Sequence, residues 1–276
     1  MENNNIIMLK HHIMSNKKTN PFYLNQIEDN DNIEDYIFID ATKRCKEWAG
    51  LSPMRLGPVT GFDGATSKTF EEFYQCSKVY PCMDNNGKPN DKYYEWRNYW
   101  YQQDLTTKSA KELRHPQYNA HPNSPDEHYE HSDCLYAIYY DEKQNKLLTS
   151  SDYAYTRKMI YLKGYAKLVV ETPEYKKLKE WVDSGSKIAI LDFDVYNYYS
   201  NKAKTKAFES YKEKCKKNKV EPKRTLEDFL NIKTMKDVLN CNFNLAGHGF
   251  VLKALLQGDL EVVDDKLIDN IGVLEV

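Results

Sequence analysis

The sequence predicts a mainly α fold of the α+β type, with a few short strands beside a larger number of helices. Three observations carry that expectation. Apolar residues recur at helical spacing behind capping signals, as in TFEEFYQCSK (69–78) and PEYKKLKEWVDSG (173–185), the latter opening on a proline and closing on a glycine. Strand-like runs are short, YIFIDA (36–41) and KIAILDFDV (187–195) being the clearest. Composition is hydrophilic, with a mean hydropathy of −0.78, yet it includes 22 tyrosines, so the core should rest on aromatic rings as much as on aliphatic chains.

A chain of 276 residues can bury a substantial core in one large domain. The net charge of −2 provides no global field toward nucleic acid or a membrane surface. No long apolar run and no charged-then-apolar leader is present, so an intracellular, cytoplasmic protein with no membrane partner is expected. The six cysteines are scattered without a C-x-x-C pair, which fits reduced thiols better than a disulfide framework or a structural zinc site.

Along the chain, residues 1–35, rich in Asn, Lys and Asp, read as a flexible tail, with the domain running from 36 to 276. YIFIDA opens the fold, and a loop rich in Pro and Gly (51–64) leads into the 69–78 segment. In NDKYYEWRNYWYQQD (90–104), Tyr93, Trp96 and Trp100 recur at helical spacing, as core aromatics or as a platform for bases. His115, His121, His128 and His131 stand among acids, but their spacing suits a solvated loop better than zinc, so no metal is assigned. Residues 153–172 and 173–185 read as two helices, and 202–224 carry ten Lys or Arg against three Glu. NLAGHGF (244–250) reads as a turn before the helix VLKALLQ, followed by an acidic tail with a short β-like end.

The two glutamates of TFEEFYQCSK differ in local role. Thr69 and Glu72 form an S/T-x-x-E capping box, which gives Glu72 a structural job. Phe70, Phe73, Tyr74 and Ser77 then share a core-facing side, while Glu71, Gln75 and Lys78 share the other. That second face is either solvated or a site. In ILDFDV, strand alternation puts Asp192 and Asp194 on one face at the end of an apolar run, where side chains are commonly delivered into a cleft, although an acidic chain exit explains them equally.

These residues resemble the NADAR or YbiA-like family, whose marker runs approximately F-S-N-F…D-G…P-T-S-E-H-Y-F-Q-A-Q-K. Leu51-Ser52, Asp63-Gly64 and Thr69, Glu71, Gln75 and Lys78 match it in order. Ile190-Leu191-Asp192 resembles the family's L-V-E, and Asn244-Leu245-Ala246-Gly247 its N-x-L-G before a closing helix. Glu72 stands where the family has histidine, Asp192 is shorter than the family glutamate, and the family's W-G is absent. The similarity covers roughly residues 47–256, with extra sequence near 105–134 and 200–235.

The resemblance implies a single YbiA-like helical domain that hydrolyses the ribosyl C–N bond of a nucleotide-like small molecule or of ADP-ribosylated guanine in nucleic acid, with no cofactor. Glu71 falls on the family's catalytic glutamate. Oxocarbenium-like charge on the sugar calls for carboxylates, hence Glu71 with Asp192 as partner and Asp194 in reserve. Arg55, Lys78 and Arg157 are expected to hold phosphate, Gln75 and Asn244 to orient the substrate, and Tyr74 or Trp96 to stack on a base. Two other readings stay open. One is an ADP-ribose-binding module without catalysis. The other is a phosphatase resembling the haloacid-dehalogenase type, with Asp192 and Asp194 as its D-x-D.

Overall fold

Apolar runs that cannot stay wet find one another in the computed structural model, which describes residues 5–11, 32–102, 134–195, 201–217, 219, 221–241 and 246–274. His115, His121, His128, His131 and Asn244 lie outside the described residues. The protein is an α+β chain of helices and small sheets, and it divides into two compact units, Met1–Trp48 with Pro173–Val276, and Ala49–Thr172.

The first unit is organised by three parallel strands, β1 (Ile6–Lys10), β2 (Tyr36–Asp40) and β8 (Lys187–Asp192), with β8 in the centre. Ile188, Ala189, Ile190 and Leu191 are all buried, as a continuously apolar run in a parallel sheet should be. Register pairs Leu9 with Leu191 and Ile39 with Ile190. One face carries Leu9, Tyr36, Ala189 and Leu191, which cluster with Ile33. The other receives helix α9 (His248–Gln257), nine of whose ten residues are buried, packed on β1 and β8.

Ile6–Lys10 falls within the segment expected to be a flexible tail and is instead an edge strand of this sheet. Its apolar run IIML is too short to announce itself, and only pairing with β8 makes it a strand. α5 (Pro173–Asp183) and α8 (Met235–Asn240) also pack on α9. The basic segment folds into α6 (Asn201–Lys217), whose Phe208 and Tyr211 rings meet Phe229 of α7 (Leu226–Leu230). The acidic stretch expected as a tail forms the hairpin β9 (Leu260–Val263) and β10 (Lys266–Asp269). Asp264 and Asp265 take the positive φ values that a tight two-residue turn requires.

The second unit holds the hairpin β3 (Val59–Thr60) and β4 (Thr66–Ser67), and an antiparallel sheet of β5 (Lys78–Val79), β6 (Tyr136–Asp141) and β7 (Lys146–Ser150). Helix α1 (Phe70–Gln75) leads into β5. Helix α2 (Asp91–Tyr101) supplies Tyr93, Trp96, Trp100 and Tyr101 to a core shared with Cys76, Val79, Tyr80 and Met83. The long helix expected over 153–172 is divided into α3 (Tyr153–Thr156) and α4 (Lys163–Val169) by a π-helical turn, Arg157–Leu162. Among the described residues no helix is long and apolar enough to cross a membrane.

A buried strand residue and a tail residue respond differently to truncation. Leu9→Ala is expected to destabilise the first unit by about 2–5 kcal/mol, as for other fully enclosed leucines. Urea unfolding measures this, and an unchanged midpoint would return residues 6–10 to the tail.

Candidate functional site

The loop before α1 fixes where the helix starts. Phe70 N–H donates to Leu56 O at 2.7 Å and Glu71 N–H to Pro53 O at 3.0 Å, so orphan donors of the first turn are satisfied by the loop. The expected capping box is present: Thr69 Oγ1 accepts from Glu72 N at 3.3 Å, and Glu72 Oε2 from Thr69 N at 3.0 Å.

Glu71, Gln75 and Lys78 do not form a solvated face. They are 6%, 5% and 3% exposed. Gln75 Nε2 donates to Glu71 Oε1 at 3.0 Å, and Lys78 Nζ donates to Gln75 Oε1 at 2.5 Å. A carboxylate only accepts and an ammonium only donates, so the amide between them has one possible orientation. The helix ends at Gln75, and Lys78 belongs to β5. On a continued helix, residues 71 and 78 would be about 10 Å apart along the axis. The Gln75 amide, within reach of both, bridges them.

Lys78 is enclosed. Burial lowers its pKa to about 8, against the pull of the Glu71 charge. Its Nζ sits 4.4 Å from the centroid of the Tyr74 ring, close enough for a cation–π contact. Tyr74 meets Tyr161 edge-on at 4.7 Å, and burial holds its hydroxyl pKa well above the ordinary value.

Tyr153, Arg157, Tyr161 and Tyr165 lie at four-residue intervals, and contacts tie them to α1. Tyr153 and Arg157 act electrostatically on Tyr74, Tyr161 packs on Phe70 and Tyr74, and Tyr165 packs on Phe70. In a straight α-helix, residues four apart drift by about 40° per step, so this stripe would wind off its partner. A π turn closes i→i+5 bonds and holds more than four residues, so one four-residue step falls short of a full turn and cancels drift. Gly164 admits Phe70, since a Cβ there would stand 2.5 Å from its ring.

Not every expected residue joins this cluster. Arg157 does, being 5% exposed with its guanidinium 5.6 Å from the Tyr153 ring centroid. Arg55 is exposed on the preceding loop. Trp96 is fully enclosed, between Tyr80 and Tyr93, so no face is left for a base and its role is core. Lys158, also buried, was not anticipated; no periodic signal separates it from the solvated lysines around it.

The two aspartates belong to the first unit. Asp192 is 2% exposed at the end of β8. Its Oδ1 accepts from Phe193 N at 2.7 Å and its Oδ2 from Gly249 N at 3.0 Å, with His248 Nδ1 at 3.5 Å from Oδ2. A Cβ on Gly247 or Gly249 would come within 2.8 or 2.9 Å of that oxygen. Asp192 thus anchors the start of α9. Asp194 lies past the strand end and is exposed, and a Cβ on Gly247 would meet both acids, Asp192 Oδ2 at 2.8 Å and Asp194 Cβ at 2.9 Å. Among the described residues, no three His, Cys, Asp or Glu side chains are grouped as a metal ion would require.

Comparison with known proteins adds no relative: no family model matches the chain, and neither a curated protein nor a solved structure matches it.

Glu72 sets a pH dependence. Fully enclosed, its carboxyl is raised from 4.5 to about 7 by burial, against the hydrogen bonds from Thr69. Below pH 4.5 folded and unfolded forms are both protonated; between 4.5 and 7 the unfolded form ionises first, so folding loses stability as pH rises, and the loss is complete above 7. Glu72→Gln keeps the capping box and should flatten the stability profile over that window, by on the order of 2 kcal/mol after allowance for screening. Denaturation of both proteins from pH 4 to 8 checks this; parallel profiles would refute it. Deleting Met159 should close the π turn into an α turn with nearly the same faces on either side. That variant is expected to fold and melt cooperatively, whereas deleting Lys167 within α4 should not.

Proposed function

We propose that the chain is an N-glycosidase that hydrolyses the ribosyl C–N bond of a nucleotide-like substrate of the ADP-ribosylated guanine class. The observation that carries this reading is the burial of Glu71, Gln75 and Lys78 as one hydrogen-bonded chain. A helix face meant only for water has no reason to be enclosed, and burying opposite charges costs folding energy unless they are well paired. Perturbed ionisable groups of this kind collect at functional sites. The same three positions carry the resemblance to the NADAR or YbiA-like family, which supports a YbiA-like domain as the setting.

In this reading the Glu71 carboxylate provides negative charge beside the anomeric carbon. As the C–N bond breaks, its electron pair leaves with the base and positive charge develops on the ribose. Glu71 stabilises that charge and takes a proton from the water that adds to the same carbon. A proton is returned through solvent to the departing nitrogen, so that water is divided between ribose and base and Glu71 is regenerated. Gln75 and Lys78 fix the carboxylate, because the amide can neither flip nor rotate away from its two partners. Arg157, held at the same cluster, contributes the cation that a phosphate needs, and exposed Arg55 is the remaining phosphate contact. Tyr74, packed between Lys78 and Tyr161, bounds the cluster rather than offering a free ring.

The limited exposure of Glu71 also favours a second reading, a module that binds ADP-ribose without cleaving it. Turnover of ADP-ribosylated guanine oligonucleotide beside calorimetry with ADP-ribose separates the two. Glu71→Gln is expected to reduce turnover by ~10²–10⁴-fold with an unchanged circular dichroism spectrum. Turnover of the variant at the wild-type rate sinks the assignment, and tight binding by the unmodified chain with an intact substrate selects the binding module.

A further inference from the structure

Three parallel strands end side by side in the first unit, and His11 stands just beyond the first of them. Its N–H donates to Asp192 O at 2.7 Å, continuing the β1–β8 ladder by one residue. Strand alternation puts its side chain on the sheet face opposite α9, with that of Asp40. The imidazole Nε2 lies 3.0 Å from Asp40 Oδ2. The other carboxylate oxygen, Oδ1, accepts from Thr42 N at 2.9 Å, which keeps the acid from rotating.

A carboxylate is only an acceptor, so in the neutral ring the hydrogen sits on Nε2 and Nδ1 keeps a lone pair. That Nδ1 is enclosed and has no hydrogen-bond partner among the described residues, although buried polar atoms are almost always paired. His248 offers the contrast. Its Nε2 meets Ala41 O at 2.8 Å and its Nδ1 faces Asp192, so it has no nitrogen to spare. Phe193 rests on the His11 ring, centroids 4.8 Å apart, and is 37% exposed. The Arg44 guanidinium lies 5.4 Å from the centroid of the Phe193 ring.

We propose that His11, oriented by Asp40, is a proton-accepting group at a ligand site on these strand ends, and that the site takes a sugar whose hydroxyl donates to Nδ1. The C-terminal edge of a parallel sheet is where open α/β units receive ligands. A bare acceptor beside a partly exposed aromatic ring suits a sugar, which offers hydroxyl donors and an apolar C–H face together; a cationic ligand is opposed by Arg44. The arrangement of carboxylate, imidazole and free nitrogen is that of an activated base. When the hydroxyl proton passes to Nδ1, the imidazolium formed is balanced by Asp40. Among the described residues, the charged and titratable groups around the strand ends include Lys10, Asp40, Arg44, Asp192, Asp194 and His248. This site stands independently of the Glu71 reading.

Acylation of the full-length chain by diethylpyrocarbonate tests it, because the reagent attacks an unprotonated imidazole nitrogen. Peptide mapping, with fragment ions that separate His11 from His12, gives the rate at each histidine. His11 is expected to react several-fold faster than His248 at neutral pH, faster again in Phe193→Ala, and more slowly with D-ribose in excess. Nitrogen-15 NMR of the unmodified protein should place the imidazole hydrogen on Nε2 of His11. The proposal is overturned if His11 is as inert as His248 in both proteins, if ribose gives no protection, or if the hydrogen sits on Nδ1. None of these readings depends on whether Glu71→Gln affects turnover.

Discussion

An ammonium and a carboxylate can be enclosed together only if every donor and acceptor between them is matched, and the second unit is arranged around that requirement. Gln75 bridges Lys78 and Glu71 with its amide locked. α1 stops at Gln75 and the next residues turn into β5. Pairing of Lys78 with Ala137 of β6 then holds the ammonium from the sheet side. The loop carbonyls of Leu56 and Pro53 accept from the backbone N–H groups of Phe70 and Glu71 and so fix the helix start. Helix, strand and loop are therefore fixed by one polar chain, whose low-dielectric surroundings make each bond stronger and each missing partner costlier.

The first unit meets a similar problem with a single acid. Asp192 ends an apolar strand and cannot reach water. Its carboxylate is satisfied by the Gly249 N–H in the first turn of α9, where exposed amide donors and the helix dipole favour negative charge. Side chains at 247 or 249 would prevent that approach. An anion already sits at this helix start, and it is part of the protein.

Legibility followed the range of the interaction. The capping box, the strand YIFID and the helix opening at Pro173 are local and could be read from a few consecutive residues. The identities of Glu71, Gln75 and Lys78 were readable too. Their burial was not, because enclosure comes from β6, Tyr161 and the loop at 51–56. β1 was missed for the same reason: a run of four apolar residues among asparagines and lysines becomes a strand only against β8, whose residues begin at Lys187. The π turn is written in the four-residue spacing of Tyr153, Arg157, Tyr161 and Tyr165, a spacing that an α-helix would wind away from its partner. Periodicity alone did not show that the stripe had a partner. His11 was hidden by the same misreading that hid β1.

Glu71 and Glu72 are chain neighbours, both enclosed, and they solve burial in opposite ways. Glu72 faces backbone donors at the helix start, and burial outweighs them, leaving the carboxyl half-protonated near neutral pH. Glu71 is joined through Gln75 to a lysine whose own pKa is drawn down by the same enclosure. Adjacent acids in different environments are the usual means by which one fold separates a structural carboxyl from a chemical one. Glu71 is linked through the Gln75 amide to Lys78, whereas Glu72 is held by the backbone and hydroxyl of Thr69, with Lys68 acting on it at longer range. Sequence spacing places Glu72 in the cap, and the structure encloses the opposite face with Glu71 hydrogen-bonded to Gln75.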